Sequence, residues 1–233
     1  MTYILALDQG TSSSRALVYD AAGSVVGSAQ QSIESTYPND GWVEQDPDMI
    51  WSSILTVGRQ AIAAANIEPA AIVGIGITNQ RETTLLWERE TSRTLYNAIV
   101  WQDRRSAAYC EDLAAQGCPP GQTDVQDVAT LIQQTTGLII DPYFSSTKLA
   151  WLLDEVDPDR ARAQGGELCF GTVDSFLVWH LTKGAHHVTD ATNASRTQLF
   201  DIAQQSWSEP LLELFNVPAA VLPRVLDCVA NFG

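Results

Sequence analysis

The chain has 233 residues, 45% of them hydrophobic and 18% charged, with a mean hydropathy of −0.05, the balance of a globular protein of one large domain or two small ones. A net charge of −15 with only two lysines, Lys148 and Lys183, excludes nucleic acid as a partner, because neutralising a phosphate backbone needs a basic face. No apolar run approaches the roughly 20 residues that span a bilayer, and the opening "MTYILALDQG" lacks the basic n-region of a secretory leader, so a cytoplasmic chain without membrane insertion is expected.

"TYILALD" and "RALVYD", then "VVGSAQQSIE", are short apolar runs punctuated by Gly and Asp, which predicts an antiparallel meander. The linker "QGTSSSR" is then a strand-to-strand turn, unlike the strand-to-helix turn of a P-loop. Neither GxxxxGK followed by Ser or Thr nor a full GxGxxG fingerprint occurs; "GIGITN" has two glycines and no third. Asp46 followed by Pro47 reads as an N-cap and first-turn proline, and Ile50, Ile54, Val57, Ala61 and Ala65 recur at helical spacing. "IVGIGITNQ" reads as a buried strand, with "TTLLWERE" and "NAIVWQD" as further strands. Helical patterns follow at 104–115, 125–135, 144–155, 172–181 and 207–215, with "QGCPPGQTD" as a Pro- and Gly-rich loop between the first two. The order gives a mixed-sheet α/β domain over residues 1–233, with no interior linker that demands a boundary. Cys110, Cys118, Cys169 and Cys228 show no CxxC pairing and read as reduced thiols.

Candidate ligand-binding residues fall at strand ends, where open α/β sheets bind their ligands. An anionic ligand would find few lysines here and would need backbone amides, hydroxyls, arginine or a metal. Arg81 and Glu82 directly follow "IVGIGITNQ". A guanidinium that donates to hydroxyl oxygens beside a carboxylate that accepts from hydroxyl protons suits a small polyhydroxylated ligand, although adjacent Arg and Glu ordinarily form a surface ion pair. Trp101 ends "NAIVW" and reads as core or as the apolar wall of a site. Tyr143 follows the turn signal Asp-Pro, which would present its hydroxyl at a helix start.

In this order, "ALDQGTSSSRALVYD", "YPNDGWVEQDP", "GIGITNQRETTLLWE", "YNAIVWQDRR", "TGLIIDPYFSSTKLAWLLD", "FGTVDSFLVWHLT" and "VTDATNASRTQLFD" resemble the FGGY carbohydrate kinases. "TNQRETT" and "WQDRR" are similar to the glycerol kinases within that family rather than to the pentulose kinases. The "CPPGQTDVQ" stretch departs from the pattern as a loop insertion. The resemblance implies an actin-like, ribonuclease-H-like mixed sheet with flanking helices, the first lobe of a two-lobed kinase. It implies ATP and Mg2+ as cofactors, with Thr11, Ser12, Ser13 and Arg15 contacting the nucleotide and Asp8 close to the magnesium. Gly10 would permit the close backbone approach such a hairpin needs. It further implies glycerol bound by Arg81, Glu82 and Tyr143, with Trp101 packed on its carbon skeleton. The family's catalytic base is an aspartate in a "GDQQ" motif, which the resemblance sets beyond Gly233, so no catalytic residue is expected within these 233. The partner of this lobe is then expected to be a second, C-terminal lobe, and the chain alone is expected to show no turnover. A non-catalytic polyol- and nucleotide-binding module, and a kinase for another polyol or sugar, are the alternatives, and a homo-oligomer is left open.

Overall fold

The computed structural model describes residues 1–117 and 125–233; Cys118 and most of the predicted Pro- and Gly-rich loop lie outside the described residues. The chain groups into two compact units, residues 1–36 with 45–80, and residues 37–44 with 81–233. Neither unit is continuous in sequence, which is why no linker marks a boundary between them.

In the first unit, β1 (Tyr3–Gln9), β2 (Ser13–Tyr19) and β3 (Val25–Ser32) form the predicted antiparallel meander. The chain leaves this unit after Thr36 and returns at Gln45, the second residue of the two-residue strand β4 (Glu44–Gln45). Helix α1 (Pro47–Ala64) starts where the sequence says it should: Asp46 accepts from the N–H of Asp48, and Pro47 occupies the first turn. Its stripe of Ile50, Ile54, Val57 and Ala61 is fully buried, against β2 and β3 above all. There the helix sits so close that a Cβ on Gly27 would lie 2.3 Å from the carbonyl oxygen of Ala61; only glycine fits.

Strand β5 (Ile72–Asn79) adds parallel to β1, giving the order β3-β2-β1-β5. It is not the buried strand its composition predicts. Val73 is 64% and Ile75 50% exposed, because β5 is the sheet edge farthest from the strands that α1 covers. An apolar run reads alike in a sheet centre and at an uncovered edge.

The second unit holds β6 (Leu85–Glu88), β7 (Ala98–Ile99) and β8 (Leu168–Gly171), with β6 antiparallel to β8. Helices α2 (Ala107–Ala114), α3 (Val128–Thr136), α4 (Ser145–Val156) and α6 (Val173–Leu181) match four predicted stretches with trimmed starts, and α5 (Ala161–Gln164) is a single unpredicted turn. α3 starts at its N-cap Asp127, which accepts from the N–H of Thr130. Beyond them, β9 (Val188–Asp190) runs into the short helix α7 (Ala191–Ala194), and β10 (Phe200–Asp201) pairs with β11 (Ser206–Trp207). α8 (Glu209–Leu214) and β12 (Arg224–Leu226), parallel to β9, complete the unit. Leu86, Ile132, Leu149, Leu153, Phe170 and Phe215 lie in one continuous core. Among the described residues no helix is long and apolar enough to cross a membrane.

Candidate functional site

The hairpin between β1 and β2 closes through the N–H of Gly10 on the carbonyl of Ser13, at 2.9 Å. A Cβ at Gly10 would sit 3.2 Å from that same oxygen, so a side chain there would crowd the turn. Alternation along β2 sends Ser14, Ala16 and Val18 inward and leaves Ser13 and Arg15 on the other face. The buried Ser14 hydroxyl is hydrogen-bonded to that of Ser53 on α1 at 2.8 Å and is thereby removed from the run of hydroxyls. Asp8 stands opposite Arg15 in the antiparallel register, so both project from one face. Among the described residues the Asp8 and Arg15 side chains have neither a hydrogen-bond nor an ion-pair partner. The Ser13 hydroxyl accepts from the Gln30 amide at 2.9 Å. The face thus carries hydroxyls, an unengaged guanidinium and one unengaged carboxylate.

The second unit gathers the other candidates. Glu82 is 4% exposed, and its Oε1 accepts from Arg196 Nε at 2.7 Å. The cation fixed beside Glu82 is Arg196, while Arg81 is exposed and makes no ion pair among the described residues. The Arg196 guanidinium also lies 5.0 Å from the Phe144 ring and 5.9 Å from the Tyr143 ring. Tyr143 in turn meets Trp101 at 5.4 Å between ring centroids. Glu82, Arg196, Tyr143 and Trp101 therefore form one connected cluster, a buried carboxylate beside an aromatic wall. Gly233 is not itself a site residue and marks only the position past which the resemblance sets the catalytic base. Its backbone lies against Thr182 and His186, where a Cβ would come within 2.6 and 2.8 Å of their side chains.

The segments that carry Tyr143 and Arg196 are held from behind, and a separate charge knot follows Trp101 in sequence. Trp101 follows β7 and precedes a buried charge knot. Arg105 donates from Nε and Nη2 to the two oxygens of Asp103, at 2.9 and 2.8 Å, and from Nη2 to Glu44 at 2.7 Å. Its side chain is 1% exposed, with the guanidinium carbon 3.8 Å from the Trp42 ring and 4.5 Å from the Trp151 ring. Burial works against this charge, but the bonds from Asp103 and Glu44 outweigh it and hold the guanidinium pKa above its ordinary value. Asp103 Oδ2 also accepts from the N–H of Val43 at 2.6 Å. The helix predicted from 104 starts only at Ala107 because this knot occupies the segment before it.

Tyr143 is carried two residues ahead of α4, close to the predicted helix start. Lys148, wholly buried within α4, donates to the carbonyls of Pro142 and Tyr143 at 3.1 and 2.6 Å. Burial pushes the Lys148 ammonium down to about 7, against the opposing pull of Asp103 and Glu82. The segment bearing Arg196 docks on the same helix end, where the N–H of Ser146 donates to the carbonyl of Thr197 and the Ser146 hydroxyl to Gln198. Sequence reasoning missed Arg196 and Lys148. Arg196 lies within the quoted stretch "VTDATNASRTQLFD"; Lys148 stands out as a charge inside the apolar face of "SSTKLAWLLD".

The meander with its added parallel strand and covering helix defines the actin-like class of α/β folds. Consistent with this, the chain superposes on a crystal structure of Plasmodium falciparum glycerol kinase with ADP with a TM-score of 0.88 and 33% identity, covering 100% of this chain and 44% of that one. It also superposes on a ligand-bound xylulose kinase from Lactobacillus acidophilus, TM-score 0.82 and 21% identity, covering 97% of this chain and 42% of that one, a likeness of fold alone. The chain belongs to the FGGY family of carbohydrate kinases, whose N-terminal domain matches residues 3–233. It is 58% identical over 230 residues to a glycerol kinase of Rhodospirillum centenum, covering 99% of this chain and 44% of the relative. With a glycerol kinase of Alcanivorax borkumensis it shares 55% over 233 residues, covering 100% and 45%. The chain thus spans less than half the length of the curated relatives it matches.

Proposed function

We propose that this chain supplies the glycerol-binding and ATP-phosphate-binding residues of an ATP-dependent glycerol kinase. The observation that carries the reading is the buried Glu82 carboxylate, held by Arg196 beside the Tyr143 and Trp101 rings, in a chain that shares more than half its residues with glycerol kinases. A polyol needs an acceptor for its hydroxyl protons, donors for its oxygens and an apolar surface for its carbon edge. Glu82 serves as the acceptor, Arg81 and the Tyr143 hydroxyl as donors, and Trp101 as the surface.

In the transfer the acceptor hydroxyl oxygen forms a bond to the γ-phosphorus of ATP, and the bond from that phosphorus to the bridging oxygen breaks. ADP leaves, and the hydroxyl proton passes to a base, which the family resemblance sets beyond Gly233. Such transfer is mostly positioning and electrostatics. Thr11, Ser12 and Ser13 hold phosphate oxygens by hydroxyls and backbone N–H groups, and Arg15 spreads positive charge over them. Mg2+ fits this face: it is held by few carboxylates and keeps several waters and phosphate oxygens, and Asp8 is a single, half-buried carboxylate with no other partner among the described residues. When bound, the metal neutralises charge on the phosphates.

Calorimetric titration of a variant carrying Ser13→Ala and Arg15→Ala tests the reading. MgATP binding is expected to weaken at least tenfold while glycerol affinity stays within about twofold. Equal losses of both ligands, or none, would overturn the assignment.

A further inference from the structure

Three buried glutamines surround the back of the hairpin in the first unit. Gln9 and Gln45 are wholly buried, and Gln80 is 7% exposed. Gln80 Nε2 donates to Oε1 of Gln9 at 3.0 Å and to Oε1 of Gln45 at 2.8 Å. Gln9 Nε2 donates to the carbonyl of Gly10 at 2.9 Å. Gln45 Nε2 donates to the carbonyl of Thr11 at 2.6 Å and to the Ser35 hydroxyl at 3.1 Å. One amide therefore feeds two branches, which end on two consecutive carbonyls of the turn.

The polarity of this array is forced. A backbone carbonyl only accepts, so Gln9 and Gln45 must present their NH2 groups to Gly10 and Thr11. Their oxygens then face Gln80, which must present its own NH2 to both. No rotation of one amide is tolerated without opposing like groups in a buried site. The peptide bonds of the turn are trans, and each is planar, so a carbonyl and the N–H of the next residue point in opposite directions. Drawing back the carbonyls of Gly10 and Thr11 therefore turns the N–H groups of Thr11 and Ser12 away from the glutamines.

We propose that Gln9, Gln45 and Gln80 are positioning residues for phosphate binding: they lock two successive peptide planes so that the N–H groups of Thr11 and Ser12 are preset as a pair of anion donors. The inference rests on the reading of this hairpin as the phosphate-binding element. Its distinctive content is that each branch governs one donor, Gln9 that of Thr11 and Gln45 that of Ser12. Preset donors cost no reorganisation when the anion arrives, which matters in a chain with two lysines.

The test is titration of the 15N-labelled 233-residue chain with magnesium tripolyphosphate, following amide resonances. Gln9→Met and Gln45→Met keep side-chain length and remove the donors; Arg15→Ala tests the hairpin reading itself. The wild-type chain is expected to show large shifts at Thr11 and Ser12. Gln45→Met should suppress the Ser12 response and weaken binding about tenfold, roughly one charge-assisted hydrogen bond, while the Thr11 response survives; Gln9→Met should do the reverse. General loosening of the unit would blur both donors alike, and amide signals of β1 and β2 report whether a variant is folded. Should one variant unfold, the other still tests its own branch. If both variants bind as wild type while Arg15→Ala does not, the proposal is overturned and the hairpin reading stands. If the wild-type hairpin gives no response at all, that reading falls, and this proposal with it.

Discussion

Replacing Arg105 by Met removes the guanidinium at the centre of the knot that follows Trp101 in sequence and keeps an apolar side chain against the Trp42 and Trp151 rings. Two carboxylates then lose their counterion: Asp103, fully buried, and Glu44, with a side chain 4% exposed. Asp103 keeps the N–H of Val43, and Glu44 keeps the amide of Asn97 at 2.8 Å, so neither is stripped of donors, but both charges are left uncompensated. Breaking a buried pair from one side typically costs about 3–5 kcal/mol, against a total stability of about 5–15 kcal/mol for a domain. Arg105→Met should therefore lower the urea midpoint of the second unit sharply, read by tryptophan fluorescence from Trp42 and Trp151. Arg105→Lys keeps the charge without the two-pronged bond to Asp103 and should lose about half as much. A loss under about 1 kcal/mol would refute the view that this knot carries a real electrostatic burden.

Arg196→Ala should raise the glycerol KM of the proposed kinase at least tenfold, more than Arg81→Ala does, because it also frees the buried Glu82 carboxylate; steady-state kinetics of the two variants compare them, and an unchanged KM for Arg196→Ala would sever Glu82 from the site. For Lys148, the folded pKa of about 7 lies below the ordinary value of 10.5, so from pH 7 to 10.5 the unfolded chain holds the extra proton. Stability from this group should rise across that window by a few kcal/mol and be lost as pH falls to 7; urea midpoints of wild type and Lys148→Met over the range should diverge accordingly, and parallel curves would contradict it.

Local chemistry made much of the first unit legible. Asp46 and Pro47 announce α1, its stripe repeats every three to four residues, and Gly10 with its hydroxyl run marks a turn between alternating strands. The candidate site was legible only where its residues follow strand ends. Arg196 was hidden because its partner Glu82 lies 114 positions away, and adjacency made Arg81 look like the natural counterion. β8 was hidden in four residues, "LCFG", that carry no period of their own. Nothing local in the sequence shows that Asp103, Arg105 and Glu44 meet, since Glu44 lies 61 positions from Arg105.

The open edge of β5 bears on how this chain behaves in solution. A strand at the end of its sheet among the described residues, with Val73 and Ile75 exposed and glycines at 74 and 76 offering little to steer register, is a template for a second copy of itself. What opposes that encounter is the net charge of −15, which makes every pair of molecules repel at long range. Salt shortens the reach of that repulsion from about 10 Å at 0.1 M to about 3 Å at 1 M while leaving backbone hydrogen bonding and apolar contact intact. Colloidal behaviour of the chain is thus set by a competition between a short-range adhesive edge and a screened charge cloud, and ionic strength is the dial that moves it.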